Sequence, residues 1–321
     1  MAGEAAGRTP GADNSGPSRR GAALTRAAVD SLPPVWLVLG AILSLQFGAA
    51  IAKSLFDVLP PSVVVWLRLL TAVVLLVLIA RPALRGHSRT DWLVVLGFGL
   101  SLAVMNWAIY QAFALIPLGV AVTIEFLGPL AIAVLGSRRR LDLLWGALAV
   151  TGVALLGWNN GDLNLAGVGF ALLAAGAWAA YILLSAATGQ RFPGTSGLAL
   201  ASIAGAVLLT PSAVLAGGAA LLDWRLVAIG LAVGVMSSVI PYSLELQALR
   251  RMPAQVFGIL MSLQPAAAAL AGLVLLGEFL TAWQWLAVAC VIAASLGAMR
   301  AGGSATSRSR NGERASSGPP D

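Results

Sequence analysis

Charge is what this 321-residue sequence has least of: 10% of its residues are Asp, Glu, Lys or Arg, against 59% hydrophobic ones. So little polar side chain cannot cover a water-soluble globule, and the chain must turn apolar surface toward lipid. A single cysteine, Cys290, excludes an intrachain disulfide and a cysteine-based metal site, and within its apolar run it reads as a small packing residue. A single histidine, His87, lies in a basic loop and leaves no histidine-based metal centre, so neither a metal nor a cofactor is expected. The phosphate-loop pattern G-x-x-x-x-G-K-[ST] is missing, because the one lysine, Lys53, follows Ala52; nucleotide hydrolysis of the familiar kind is excluded. Strand-like alternation is missing too, which excludes a transmembrane barrel.

What is present is a series of long apolar runs, and the mean hydropathy is +0.88. A hydrocarbon core about 30 Å thick takes roughly 20 residues per helical crossing. Runs fall at 35–55, 61–80, 92–115, 118–136, 143–158, 166–187, 196–216, 225–248, 254–276 and 282–299. Each must be a helix that satisfies its own backbone hydrogen bonds, giving an all-α integral membrane fold of ten transmembrane spans. Residues 1–32 and 301–321 are rich in Gly, Ala, Ser and Arg and are expected to be disordered tails; the first has no short apolar core before a cleavage site, so a removed signal is not expected.

Counting loops alternately, 17 arginines, including Arg81, Arg85, Arg138, Arg139, Arg140, Arg250 and Arg251, fall on one side, while only Lys53 and Arg225 fall on the other. That bias places both termini in the cytoplasm, and one span more or fewer would destroy it. The net charge of +7 is thereby a matter of topology; spread between spans, it forms no single face for nucleic acid.

Shifting the chain on itself by about 136–140 residues aligns EFLGP (125–129) with MSLQP (261–265), and Trp145 and Gly157 with Trp285 and Gly297. The expected division is one repeat over 35–158 (spans one to five) and another over 166–299 (spans six to ten). Five helices per repeat make the copies cross in opposite directions, an inverted repeat of the kind used in alternating access. Spans five and ten are Gly/Ala-rich and would suit a contact between protomers, although a monomer is the default.

Three ionisable residues lie well inside spans: Arg68, Glu125 and Glu245. Each costs roughly 2.5–3.5 kcal/mol to insert, so each is expected to face a cavity or to pair. Glu125 is about 12 Å into span four and near the midplane, which makes it the first candidate for substrate binding or for carrying a proton. Glu245, nearer the cytoplasmic end of span eight, is either functional or an anchor pairing with Arg250 or Arg251. Arg68 is a substrate-carboxylate site, a partner for an acid, or a snorkelling anchor. Lys53, the one lysine beside 19 arginines, is a further candidate.

Polar and aromatic residues share helix faces: Asn106 with Tyr110, Trp178 with Tyr181 and Ser185, and Ser238 with Tyr242 and Glu245. Taken singly, each is as well explained by helix packing; several faces converging would make a polar cavity. Pro129, Pro241 and Pro265 interrupt spans four, eight and nine, free backbone carbonyls and permit kinks suited to gating. A membrane-embedded enzyme acting on lipid-linked substrates would need clustered acids, a histidine or metal ligands near the interface, and none is present, so no enzyme is expected.

The segments SLQFGAAIAKSLF (44–56), PLGVAVTIEFLGPLAIAV (117–134), SRRR (137–140), PYSLELQAL (241–249) and FGILMSLQPAAAALAG (257–272) resemble the EamA family of the drug/metabolite transporter superfamily, over about 35–299. The resemblance implies a cell-membrane exporter with two EamA repeats and a central cavity lined by spans one, three, four, six, eight and nine. It implies export of a small neutral amino acid of the threonine or homoserine type, with other metabolites or lipophilic drugs as the alternative. The match carries over at Lys53, Glu125, Pro129, Tyr242, Glu245 and Pro265. The sequence departs at Gln264, where similar exporters often place Glu before the proline; a neutral amide leaves any proton-carrying role more to Glu125. The expected partners are the bilayer, the amino acid and, if transport is coupled, protons.

Overall fold

The computed structural model describes residues 32–80, 86–136, 140–158 and 164–316. The tail expected at the N-terminus thus lies outside the described residues up to 31, as do the arginines at 81, 85, 138 and 139. Every regular element among the described residues is helical. Among the described residues, nine helices are long and apolar enough to cross a bilayer: Pro34–Ser54, Pro61–Leu78, Arg89–Leu115, Leu118–Leu135, Leu165–Gly189, Ser196–Leu222, Trp224–Leu249, Gln255–Leu276 and Ala282–Met299. A shorter apolar stretch, Leu141–Leu155, occupies the place of span five. The last helix runs on as backbone to Ser316.

Local chemistry sets where the spans begin. Span one has Pro33 at its cap and Pro34 in its first turn, and the first half of span four and span nine start behind Pro117 and Pro253. Span three opens on a capping box, in which the Asp91 N–H donates to Ser88 Oγ and the Ser88 N–H donates to Asp91 Oδ2. Asn164 caps span six through the Ala166 and Gly167 N–H groups, and Asp223 caps span eight through the Arg225 N–H.

Three spans are broken near their middles. Span four stops at Glu125, turns at Phe126 and resumes at Leu127, one turn ahead of Pro129. Span nine breaks in the matching place, at Ser262 and Leu263 ahead of Pro265. Span eight widens into a π-turn over Val235–Val239, just before Pro241. The π-turn carbonyl of Met236 accepts a hydrogen bond from Ser44 Oγ at 2.6 Å, so a neighbouring helix satisfies what the irregular backbone leaves open. Gly48 makes this approach possible: a Cβ there would lie 2.9 Å from that of Ser237.

The packing pairs spans across the two halves of the sequence. Span three lies along span six, span one along span eight, span two along span seven, the broken span four along the broken span nine, and span five along span ten. Trp66 Nε1 donates to Thr210 Oγ1 at 3.0 Å between spans two and seven. Gly297 of span ten sits against the Trp145 ring of span five, and Cys290 packs on Gly152. The small-residue faces of spans five and ten thus meet within the chain.

One polar cluster closes the end where spans one, three and nine finish and span four starts. Lys53 Nζ lies 2.6 Å from Glu278 Oε1 and donates to the Ile116 carbonyl at 2.8 Å. Glu278 Oε2 accepts from the Leu118 N–H at 2.7 Å. The turn that presents Glu278 depends on Gly277, whose φ of 66° is left-handed, and on the Glu278 N–H donating back to Gly272 O. Lys53 and Glu278 come from opposite ends of the sequence and are 19% and 16% exposed, so each neutralises a charge that would otherwise be stranded.

Lys53→Met, which strands Glu278, is expected to destabilise the folded protein by roughly 2–3 kcal/mol, below the figure for a fully buried pair. The double variant Lys53→Met/Glu278→Leu should recover most of that loss. Unfolding of the purified protein in detergent measures both, and a double variant no more stable than the single one would refute a coupled pair.

Candidate functional site

A cavity of about 230 Å³ lies between spans one, two, three, four, six, eight and nine. Eight residues expected from the sequence reach it: Arg68, Asn106, Glu125, Trp178, Tyr181, Tyr242, Glu245 and Gln264. The broken helices explain part of this convergence. Glu125 is the last residue of the first half of span four, and Gln264 is the first of the second half of span nine. Trp178 and Tyr181, like Tyr242 and Glu245, are three residues apart and so share a helix face. The Trp178 ring stands edge-on to Phe126 with centroids 5.2 Å apart, which fixes the indole beside the span-four break. Leu45, Ala49, Met105, Ile109, Phe113 and Val122 make the apolar part of the wall.

Arg68 is the cation of the cavity. Its Nε donates to Ser238 Oγ at 3.0 Å and its Nη1 to Tyr110 OH at 3.4 Å, and Cζ stands 5.6 Å from the Tyr110 ring centroid. No ion pair joins it to Glu125 or Glu245 among the described residues. Ser238 and Tyr110 hold the guanidinium at the cavity wall, and Tyr242 and Glu125 also lie within its electrostatic reach. Of the three roles open to Arg68 in the sequence, the geometry selects the cavity over the membrane interface.

Two sequence expectations need correction. Tyr110 does not line the cavity; it is fully buried, packed on Phe56 and Phe113, and acts on Arg68 from behind. It lies one turn beyond Asn106, at the edge of the lining face that Ile109 and Phe113 continue, and the core seals over it there. Lys53 also stays out of the cavity. It lies one turn beyond Ala49, the last lining residue of span one, and its ammonium is engaged by Glu278 and Ile116.

Two residues escaped the sequence reading. Glu278, in the short connection after span nine, is the partner that the lone lysine required. Gln46, 3% exposed, lines the cavity from span one and was passed over because it carries no charge. Ser238 had been placed on the Tyr242 and Glu245 face, and its contact is with Arg68. No group of three or more His, Cys, Asp or Glu side chains gathers to hold a metal among the described residues.

Residues 165–300 match the model of the EamA-like transporter family. The threonine/homoserine exporter RhtA of Salmonella typhimurium strain LT2 is 42% identical over 274 residues, spanning 82% of this chain and 92% of the exporter. RhtA of Escherichia coli strain K12 is 41% identical over 271 residues, with the same coverage. A solved structure described only as "Crystal structure of protein" shares the fold, with a TM-score of 0.53 at 19% identity over 83% of this chain and 96% of its own. With such identity along most of both chains, this multi-pass membrane protein belongs to the EamA-like transporter family.

Proposed function

We propose that the protein exports a small neutral amino acid of the threonine or homoserine type across the cell membrane by alternating access. The observation that carries this reading is a lipid-embedded cavity holding one guanidinium and two carboxylates that make no ion pair with one another. Burying such groups without an ion-pair partner is costly, so the arrangement implies a ligand that supplies both signs of charge. A zwitterion does so: its carboxylate meets Arg68 and its ammonium meets Glu125. Asn106, Tyr242 and Gln264 supply hydrogen bonds. The likeness to threonine/homoserine exporters supports this substrate class.

The pattern of helix contacts supports two inverted repeats, 35–158 and 166–299. If spans one to five correspond to spans six to ten, a two-fold operation exchanges the one–eight and six–three contacts and maps the two–seven, four–nine and five–ten contacts onto themselves. These are the pairings described above. The matching breaks in spans four and nine, ahead of Pro129 and Pro265, support the same correspondence. Pro241, behind the π-turn of span eight, is a third hinge candidate. With the arginine-rich loops and both termini cytoplasmic, the Lys53–Glu278 clamp is the closed outer gate of an inward-accessible state. A monomer contains every element that this cycle uses.

Charge balance argues for coupling to protons. Arg68 balances only one of the two carboxylates, so the empty cavity returns inward with a proton on Glu125, and the ammonium of the next amino acid displaces that proton on the cytoplasmic side. This exchange lets an inward proton gradient drive export.

Glu125→Gln should abolish export while leaving the protein in the membrane at its normal level. The check is efflux of preloaded labelled threonine and homoserine from cells with and without the protein, alongside its abundance in the membrane fraction; full efflux by the variant would sink the assignment. Collapsing the proton gradient should slow wild-type efflux severalfold, and efflux indifferent to the gradient would rule out the coupling. Arg68→Gln should raise the half-saturating amino acid concentration at least tenfold, since a charge-assisted carboxylate contact is lost; concentration-dependent uptake into inside-out vesicles measures this, and unchanged half-saturation would remove Arg68 from the substrate site.

A further inference from the structure

Three buried amides face the cavity: Gln46, Asn106 and Gln264, at 3%, 4% and 5% exposure. They differ in what already occupies them. Asn106 Nδ2 donates to the Leu102 carbonyl of its own helix at 2.9 Å, and Gln264 Nε2 touches the Met261 sulfur at 3.7 Å. Gln46 has no hydrogen-bond partner among the described residues, yet its polar atoms are not sealed in the core; they give onto the cavity. A primary amide brings two donors and an oxygen with two lone pairs, and leaving these unmet inside a membrane protein is unfavourable. The cost is offset when a ligand meets them.

The zwitterionic ends of an amino acid are served by Arg68 and Glu125. What remains on a hydroxyamino acid is a hydroxyl, a group that both donates and accepts, as an amide does. Around Gln46 the span-one wall is apolar, formed by Leu45 and Ala49, so a substrate without a hydroxyl would fill the space and still leave the amide unpaired.

We propose that Gln46 is a specificity-determining residue that reads the side-chain hydroxyl of the substrate and separates threonine from its isostere valine. The inference rests on the amino acid export reading and adds to it the group that distinguishes one small amino acid from another. A site that hydrogen-bonds a substrate hydroxyl rejects the analogue lacking it far more strongly than an apolar pocket separates molecules of equal shape. Wild-type protein should therefore prefer threonine and homoserine over valine and norvaline by tenfold or more. Gln46→Met, which keeps the length of the side chain and removes its polar atoms, should bring that ratio close to one. The loss should fall on the hydroxylated substrates, with valine unchanged or improved.

The experiment is uptake of labelled threonine by proteoliposomes holding purified wild-type or Gln46→Met protein, competed with unlabelled threonine, homoserine, valine and norvaline. A ratio that collapses in the variant supports the proposal; a transporting variant that keeps the wild-type ratio overturns it. Should Gln46→Met not assemble, thermal stabilisation of the wild-type protein in detergent decides: threonine must act at concentrations at least tenfold below valine, and equal action overturns the proposal. Wild-type protein that transports amino acids without preferring the hydroxyl defeats Gln46 alone. Wild-type protein that neither binds nor transports any amino acid defeats the export reading as well.

Discussion

Hydrocarbon offers no hydrogen bonds, and the rest of this structure follows from that constraint. Every span closes its own backbone ladder, and where the ladder is irregular a neighbour intervenes, as Ser44 does for the Met236 carbonyl of the π-turn. Several short hydroxyl side chains turn back on their own helices, Thr123 to Gly119 O at 2.6 Å and Ser237 to Val233 O at 2.8 Å, while the buried hydroxyls of Thr188 and Ser295 find no hydrogen-bond partner among the described residues. The same accounting pairs Lys53 with Glu278 and seats Arg68 on Ser238 and Tyr110. Glu125, Glu245 and Gln46 make no hydrogen bond or ion pair among the described residues, and all three line one cavity.

In the proposed transport cycle, breaks and clamp divide the work of a moving site between them. The interruptions in spans four and nine put Glu125 and Gln264 at helix ends beside the cavity, where a small change in backbone angle moves a side chain without sliding a whole helix through lipid. The clamp joins spans one, three, four and nine at a single end through two charged side chains and two backbone groups. Opening that end would separate Lys53 from Glu278 and admit water to both, so the desolvation each suffers in the closed state is relieved as their attraction is lost. Such a pair holds one end shut without making the shut state irreversible.

Much of this was legible in the chain. The apolar runs placed the spans to within a few residues, because a 30 Å slab imposes a length that composition alone reveals. Arg68, Glu125 and Glu245 could be singled out because a charge in a span is expensive and rarely idle. What could not be read was which neighbour each charge would meet. Lys53 and Glu278 are more than two hundred residues apart in the sequence, and nothing local to either announces the other. The rarity of lysine marked Lys53 as purposeful and left open whether that purpose was a ligand or a partner. Tyr110 shows the limit of helical periodicity, which brings a residue close to the lining face and does not say whether it or its neighbour Ile109 turns into the cavity. Gln46 shows the limit of reasoning by charge: an uncharged amide in a span is inconspicuous in sequence and conspicuous only when its hydrogen bonds are sought and not found.

That distinction bears on how the proposed site would tell substrates apart. Arg68 and Glu125 address the carboxylate and ammonium common to every neutral amino acid, so they contribute binding without selecting among side chains. Discrimination must come from groups facing the side chain, and an apolar wall separates small molecules of nearly equal shape by roughly 10- to 200-fold, far less than a site that hydrogen-bonds the distinguishing group. A polar group that is buried, unpaired and turned into the cavity acts through the cost of leaving it unmet, and that cost falls on the wrong substrate without tightening the right one. A transporter has reason to select in this way, since a site that gained its specificity from ever tighter binding would release its cargo ever more slowly.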